Sequence, residues 1–288
     1  MSALGEERPP LFGTKTGMDA PTPADSRLTA PSPTTARFAA RLASSTGHDL
    51  EIEGYWRPVI ALAEAAHKGW ALGLKLRLGG GGGGRAITLD SLNVVDLERA
   101  NLAAVRHGLG ALPDHGRQTP APVAVIPIAW SCAKSERGRR ELLRLAGQAR
   151  ASRQVIPVAE LTGVEPGAPS AALTATIDSL KPMFGAVLIR LTSTSEDVPR
   201  LMNRGFAGAS LDAAGLEISP DRPILVGVAA LLKAIGPTVM LQDITTVAAL
   251  EAARDARMAW ASLDLTRGGW HLFQAGLEAL KSGPTRDD

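Results

Sequence analysis

The feature that most constrains this chain is a regular alternation of short apolar strands with longer amphipathic helices. Segments of roughly four to eight apolar residues alternate with helical patterns about six times, as in "APVAVIPIAW" followed by "SERGRRELLRLAGQARAS". Such an order is typical of a parallel sheet covered by helices. Both a doubly wound fold and a (β/α) barrel have this order. Two alternating strands come before it, "LEIEGYWRPVIAL" and "HKGWALGLKLRL", and predict a hairpin. This hairpin, in a run without a break in composition, favours a barrel.

Composition places the chain among ordinary globular proteins. Of 288 residues, 45% are apolar and 21% are charged, which is enough apolar surface for a sizeable core. The net charge of +2 does not by itself point to nucleic acid or to a membrane surface. Cys132 is the single cysteine, so an internal disulfide is excluded and a reducing compartment is expected. With no secretory signal and no apolar run of membrane length, we expect a cytoplasmic protein.

The sequence predicts three segments. Residues 1–36 are rich in Pro, Ser, Thr and Ala without apolar periodicity, which is typical of a disordered tail. Residues 37–49 predict a short helical lead-in, and residues 50–288 predict the α/β barrel domain.

Six consecutive glycines, Gly79 to Gly84, raise the question of a phosphate-binding loop. Backbone N–H groups of glycine-rich loops do bind phosphate, but a P-loop ends in Gly-Lys-Ser/Thr, and Arg85 and Ala86 follow here. A homopolymer also satisfies GxGxxG trivially. We therefore interpret the run as a flexible connection.

Five segments, in order, resemble the EAL domain family of bacterial cyclic di-GMP phosphodiesterases. "YWRPVIAL" is similar to the family's "YQPIVDL", and "GLKLR" stands where its EALLR signature belongs. "VIPVAELTG" resembles "LVLEITE", and "VPRLMNRGFAGASLD" resembles the stretch ending in "KID". "VMLQDITTVAALEAARDARMAWASL" is similar to "VIAEGVETEEQLEALRALGCDYVQG". The resemblance implies an EAL-type TIM barrel whose first strand is antiparallel.

The family's catalysis uses Mg or Mn held by carboxylate and amide oxygens, with a lysine-assisted water, and the resemblance locates those positions here. Asp212 retains the Asp of "KID". At the other positions the family's carboxylates, amides and lysine are replaced, by Gly73, Ala129, Gly163, Leu191, Thr192, Ser210, Gln242, Thr245 and Ser262. Hard cations need oxygen ligands, so we expect no metal, no cofactor and no catalytic residue.

Two basic residues stand near the former site. Arg77 matches the Arg of EALLR, and Arg57 replaces the Gln of "YQP". They are candidates for a residual phosphate contact, although structural arginines at the barrel rim are the simpler interpretation.

The favoured hypothesis is a catalytically inactive EAL-like domain that regulates or scaffolds through protein–protein contacts, and a homodimer is compatible with it. The alternative is a cyclic di-GMP receptor that does not hydrolyse its ligand. A third hypothesis, new chemistry in the barrel mouth, has little support because the strand ends lack a paired acid and base. We expect neither nucleic acid nor a membrane as partner.

Overall fold

A computed structural model describes residues 37–79, 84–113, 120–191, 198–213 and 222–282, without the side chains of residues 90, 222, 223 and 266–270. Eight strands close into a barrel. They are β2 (Asp49–Ala61), β3 (Ala66–Leu78), β5 (Val123–Ala129), β6 (Ile156–Thr162), β7 (Ala186–Leu191), β8 (Gly208–Asp212), β9 (Thr238–Ile244) and β10 (Trp260–Leu263). Two further strands, β1 (Arg37–Ala43) and β4 (Arg85–Ile87), lie at the edges of the sheet.

The helices follow the strands as the sequence predicts. They are α1 (Val94–Gly110), α2 (Trp130–Lys134), α3 (Glu136–Arg153), α4 (Ser170–Leu180), α5 (Val198–Leu201), α6 (Arg222–Lys233), α7 (Val247–Asp255) and α8 (Leu265–Ser282), with a 3-10 helix at Leu89–Ser91. Among the described residues, no helix combines the length and apolar character that crossing a bilayer requires.

The direction of β2 sets the barrel apart from an all-parallel one. β2 pairs antiparallel with both of its neighbours, β3 and β10, whereas every other adjacent pair around the barrel is parallel. The predicted barrel with an antiparallel opening strand is therefore confirmed. β2 and β3 form the predicted hairpin, with Ala61 paired to Ala66.

The lead-in predicted as a helix over residues 37–49 is a strand, so that prediction is wrong. β1 pairs antiparallel with β2 over its whole length, from Arg37 with Tyr55 to Ala43 with Asp49. Its side chains alternate between exposed and half-buried because Phe38, Ala40 and Leu42 share one face. The predicted tail, residues 1–36, lies outside the described residues.

An antiparallel extension rises from the carboxyl end of the barrel. β2 contacts β10 only through Val59–Ala61, and β3 contacts β5 only through Gly69–Ala71. Beyond these points β2 pairs with β1 and β3 pairs with β4. One face of the extension buries leucine and isoleucine side chains against α1. Leu78 pairs with Arg85, so the glycine run joins two paired strands; only its ends, Gly79 and Gly84, are among the described residues.

Two apolar layers stabilise the barrel. The larger lies between the outer face of the sheet and the helices. The smaller fills the barrel interior, and its buried members are Val59, Ala71, Val123, Val125, Val158, Leu188 and Met240. Because side chains of a strand alternate between faces, residues two positions further toward the carboxyl end of the barrel also point inward.

Candidate functional site

The next interior layer toward the mouth is polar and buried. Glu160 of β6 follows Val158 by two residues, and Arg190 of β7 and Gln242 of β9 stand in the same relation to Leu188 and Met240. Arg57 of the antiparallel β2 precedes Val59 by two residues and therefore reaches the same level. Glu160, Gln242 and Arg57 are at most 3% exposed.

Glu160 is the centre of this layer. Its Oε1 accepts hydrogen bonds from the Ser210 hydroxyl and from the Gln242 side-chain amide. Its Oε2 lies 3.3 Å from Nη2 of Arg190. Both carboxylate oxygens are thus engaged by side chains from three neighbouring strands, β7, β8 and β9.

Gln242 links this carboxylate to Arg57. Its Oε1 accepts hydrogen bonds from Nη2 of Arg57, at 3.0 Å, and from Nη2 of Arg190. Nη1 of Arg57 forms an ion pair with Asp243, the next residue of β9. We call these six residues the mouth network: Arg57, Glu160, Arg190, Ser210, Gln242 and Asp243.

The mouth network is balanced in charge. Two guanidinium groups face two carboxylates, Glu160 and Asp243, so the positive and negative charges offset each other. The pKa of Arg57 is lowered, mainly by burial and secondly by the positive charge of the neighbouring Arg190. Tyr55, Glu160 and Asp212 act in the opposite direction. An arginine nonetheless stays protonated in proteins. Nε of Arg57 and Nε of Arg190 are buried without a hydrogen-bond partner among the described residues, which costs free energy.

Asp243 reaches Arg57 through an unusual backbone conformation. Its φ of 60° lies in the left-handed region, which Asp tolerates better than most residues. Its N–H donates to the hydroxyl of Ser262, at 3.3 Å. Ser262, on β10, is fully buried, and its hydroxyl helps to hold the backbone of Asp243 in place.

The glycines at two predicted ligand positions have structural reasons. The ring of Tyr55 lies across the strand pair over Gly73, so that a Cβ there would stand 2.6 Å from Cζ of the tyrosine. Gly163 directly follows β6 and has a φ of 65°, a conformation that glycine adopts without strain. A glutamate at either position would therefore require local rearrangement.

The other predicted positions lie around the network in different environments. Ala129 is buried at the end of β5, where its N–H donates to the side chain of Asn101. Leu191 is buried at the end of β7, and Thr192 lies outside the described residues. Thr245 is half-buried just after β9. Asp212, also half-buried, ends β8 beside Gln242.

The structure separates the two arginines proposed for a residual phosphate contact. Arg57 lies opposite Ala71 in the hairpin, and Arg77 is six residues further along β3. At the rise of an antiparallel strand this is about 20 Å. Arg77 is exposed on the extension opposite Glu51, whereas Arg57 is buried in the mouth network. The two guanidinium groups do not face one common site.

The sequence reasoning missed three members of the network. Arg190 interrupts the apolar run of β7, and this charge at an inward-facing position was the available signal. Glu160 lies in the segment "VIPVAELTG", which resembles the family but does not by itself indicate a role, and Asp243 gives no signal because its contact depends on a positive φ. Contacts with Arg57 join residues 185 positions apart, which local patterns do not reveal.

A divalent cation does not fit the residues at this level of the barrel. Glu160 already accepts hydrogen bonds and an ion pair at both oxygens, and two guanidinium groups lie where a cation would meet like charge. Across the ranges given above, no group of three His, Cys, Asp or Glu residues is placed to hold a metal. We therefore derive no step through a metal ion.

The remaining chemistry near the strand ends is equally limited. Cys132, in α2, is fully buried, and burial, aided by Glu98, raises the pKa of its thiol to about 12. A thiol in that state is a poor nucleophile. The arginines of the network cannot act as bases.

A cavity lies beside the network, between the extension and the ends of β5, β6 and β7. Its volume is about 270 Å³. Leucines of β3 form one wall, and Thr162 and Arg190 contribute polar atoms. It is thus smaller than the roughly 300–1,000 Å³ that ligand cavities usually have.

Comparison with solved structures agrees with this geometry. One match, at TM-score 0.55 and 12% identity, is the Bacillus subtilis YkuI protein, with an EAL domain, in complex with substrate c-di-GMP and calcium; the alignment covers 80% of this chain and 61% of that one. The fold is an EAL-like TIM barrel. A second match, at TM-score 0.53 and 14% identity, is the PaMucR phosphodiesterase in complex with c-di-GMP, covering 73% of this chain and 88% of that one.

The similarity lies in the fold rather than in the sequence. Neither the comparison with family models nor the one with curated proteins finds a match. At identities this low, the similarity shows an EAL-like fold, and a shared fold does not by itself determine the chemistry of the site.

Proposed function

We propose that this chain is an EAL-like domain without phosphodiesterase activity, which acts through contacts with other proteins in cyclic di-GMP signalling. The observation that carries the proposal is the mouth network. Side chains of Arg57, Glu160, Arg190 and Gln242 bind one another in the layer where a TIM barrel presents its reacting groups. Groups that already bind one another have little capacity left for a phosphodiester.

The arginines supply the positive charge that a hard cation would supply in a metal-dependent phosphodiesterase. They differ from a metal in what they can do with water. A divalent cation lowers the pKa of bound water and so generates a nucleophile, whereas a guanidinium only donates hydrogen bonds. The network therefore supports a structural role for this part of the barrel and argues against hydrolysis.

The alternative proposal is a cyclic di-GMP receptor that does not hydrolyse its ligand. It depended on Arg57 and Arg77 acting together, and their separation of about 20 Å weakens it. The cavity of about 270 Å³ is small for a dinucleotide. We therefore rank it below the protein-contact function.

The test combines hydrolysis and binding of cyclic di-GMP. The purified full chain is incubated with the nucleotide and Mg²⁺ or Mn²⁺, beside an active EAL phosphodiesterase as positive control, and product is quantified by chromatography. Titration calorimetry with the same nucleotide follows. We expect neither turnover nor heat of binding at high micromolar protein. Turnover overturns the proposal, and binding without turnover replaces it with the receptor function.

A further inference from the structure

β1 leaves one of its two edges unpaired. Among the described residues it pairs with β2 alone and stands at one end of the sheet. Alternate residues of an antiparallel strand turn their N–H and C=O groups away from the partner, so about half of these groups in Arg37–Ala43 face outward. We call this outward side the β1 edge. β4, at the other end of the sheet, has only three residues and so offers few such groups.

The two faces of β1 differ in their chemistry. Phe38, Ala40 and Leu42 are half-buried and pack against the apolar cluster between the extension and α1. Arg37 and Arg41 are exposed on the opposite face. A strand added at the β1 edge would therefore continue an apolar surface on one face and meet two cations on the other.

Charges alternate in sign from strand to strand across the exposed face. Arg41 pairs with Glu51 on β2, with its Nη2 2.9 Å from Oε1 of the glutamate, and Glu51 in turn lies opposite Arg77 on β3. Opposite charges directly across a strand pair stabilise a sheet, whereas like charges destabilise it. The Arg41 side chain remains 71% exposed at the end of this row. A further strand should therefore place an acidic residue opposite Arg41.

Neither a second copy of β1 nor the chain's own N-terminal segment supplies this pattern. When two β1 strands pair with their apolar faces on the same side, the arginines of each meet only alanine or arginine. Residues 1–36 contain four acidic residues, no two of which are four positions apart, as Arg37 and Arg41 are. Charge complementarity therefore favours a different chain as the occupant.

We propose that the β1 edge binds an extended segment of another protein, which adds to the sheet as a strand with acidic residues opposite Arg37 and Arg41. The segment reads acidic, apolar, any residue, apolar, acidic, so that its apolar side chains lie beside Phe38 and Ala40. β2 contains such a pattern, "DLEIE", where it pairs with the other side of β1. The proposal rests on the proposed contacts with other proteins, but it needs neither the mouth network nor cyclic di-GMP.

Binding of a synthetic peptide to the full chain tests the proposal. The probe is fluorescein-labelled Ser-Glu-Ile-Thr-Ile-Glu-Ser, and the control peptide has lysine at both glutamate positions. One added strand buries far less than the roughly 1,200 Å² of stable interfaces, so we expect a dissociation constant on the order of 100 μM by fluorescence anisotropy. The lysine peptide should bind at least about tenfold more weakly.

Variants and hydrogen exchange locate the contact. Arg37→Glu should weaken binding of the acidic peptide at least about fivefold. Arg85→Glu is the matched control, because Arg85 is also an exposed arginine of an edge strand, and it should leave binding unchanged. The acidic peptide should slow amide hydrogen exchange in Arg37–Ala43 but not in Arg85–Ile87. Circular dichroism checks that both variants are folded, as expected for substitutions of exposed side chains.

Four outcomes overturn the proposal. The acidic peptide does not bind, or the two peptides bind equally well. Arg37→Glu and Arg85→Glu have the same effect, which moves the contact away from the β1 edge. The peptide binds without slowing exchange in Arg37–Ala43. All amides of this strand already exchange slowly in the free chain, which means that the chain's own N-terminal segment or a second copy covers the edge. None of these outcomes bears on hydrolysis, since the assay contains no nucleotide.

Discussion

Glu160→Gln tests directly whether the mouth network stabilises the barrel. The substitution keeps the size of the side chain and an oxygen that accepts from Ser210 and Gln242. It replaces Oε2, which lies 3.3 Å from Nη2 of Arg190, with an NH₂ group. This group is a hydrogen-bond donor and cannot pair with the guanidinium. At an effective dielectric constant of about 20, an ion pair at that distance is worth about 5 kcal/mol. Part of this is offset because a neutral amide costs less to bury than a carboxylate.

We therefore expect Glu160→Gln to lower the free energy of unfolding by about 3 kcal/mol. Urea unfolding followed by circular dichroism measures it, as a lower midpoint at an unchanged slope. Glu165→Gln is the matched control, because Glu165 pairs with Lys134 while its side chain is 64% exposed. Such a pair contributes less than about 1 kcal/mol. If the two variants lose equally little stability, the network is not a structural centre and the reasoning fails.

Three further predictions concern the binding of metal ions, the position of Gly73 and the stability at acidic pH. Millimolar Mg²⁺ or Mn²⁺ should leave the melting temperature of the protein unchanged, since only a ligand that binds the native state raises it. A rise of several degrees would contradict the conclusion that the mouth network does not bind a divalent cation. Gly73→Glu should give no hydrolysis of cyclic di-GMP, and hydrolysis above a mock-purified control would refute this. The same variant should lose about 1–3 kcal/mol of stability, because its Cβ would crowd the Tyr55 ring. Gly73→Ala is the control that measures how much of this loss is due to the Cβ alone. Hydrogen bonds from Arg144, and to a smaller extent from Arg106, lower the pKa of Glu141 to about 2. The ionised carboxylate therefore stabilises the fold fully above its ordinary pKa of 4.5, and this contribution is lost as the pH falls to about 2. The stability difference between the chain and Glu141→Gln, measured by urea unfolding, should therefore shrink from pH 5 to pH 2, and a constant difference would contradict it.

The class of the fold follows from local sequence patterns. Strands such as β5 and helices such as α3 bury apolar residues at periods that can be read in the chain, and their alternation specifies a parallel sheet with covering helices. The hairpin of β2 and β3 was also predictable, because both strands alternate and their turn is short.

β1 shows where local patterns are insufficient. Its sequence, "RFAARLA", contains good helix formers, yet Phe38, Ala40 and Leu42 also alternate with period two. A segment compatible with both structures is decided by its surroundings. Here the unpaired edge of β2 supplies seven backbone partners, from Tyr55 to Asp49, and the strand results.

The candidate site divides in the same way. The sequence alone pointed to Ser210, Gln242 and Ser262 as site positions, because each lies in a recognisable strand. Only the tertiary structure decided that Gln242 connects Arg57 and Arg190 to Glu160 in the barrel mouth. Arg77 does not join them. The physical reason is distance along the chain: Arg57 and Gln242 are 185 residues apart, and only closure of the barrel brings them to 3.0 Å.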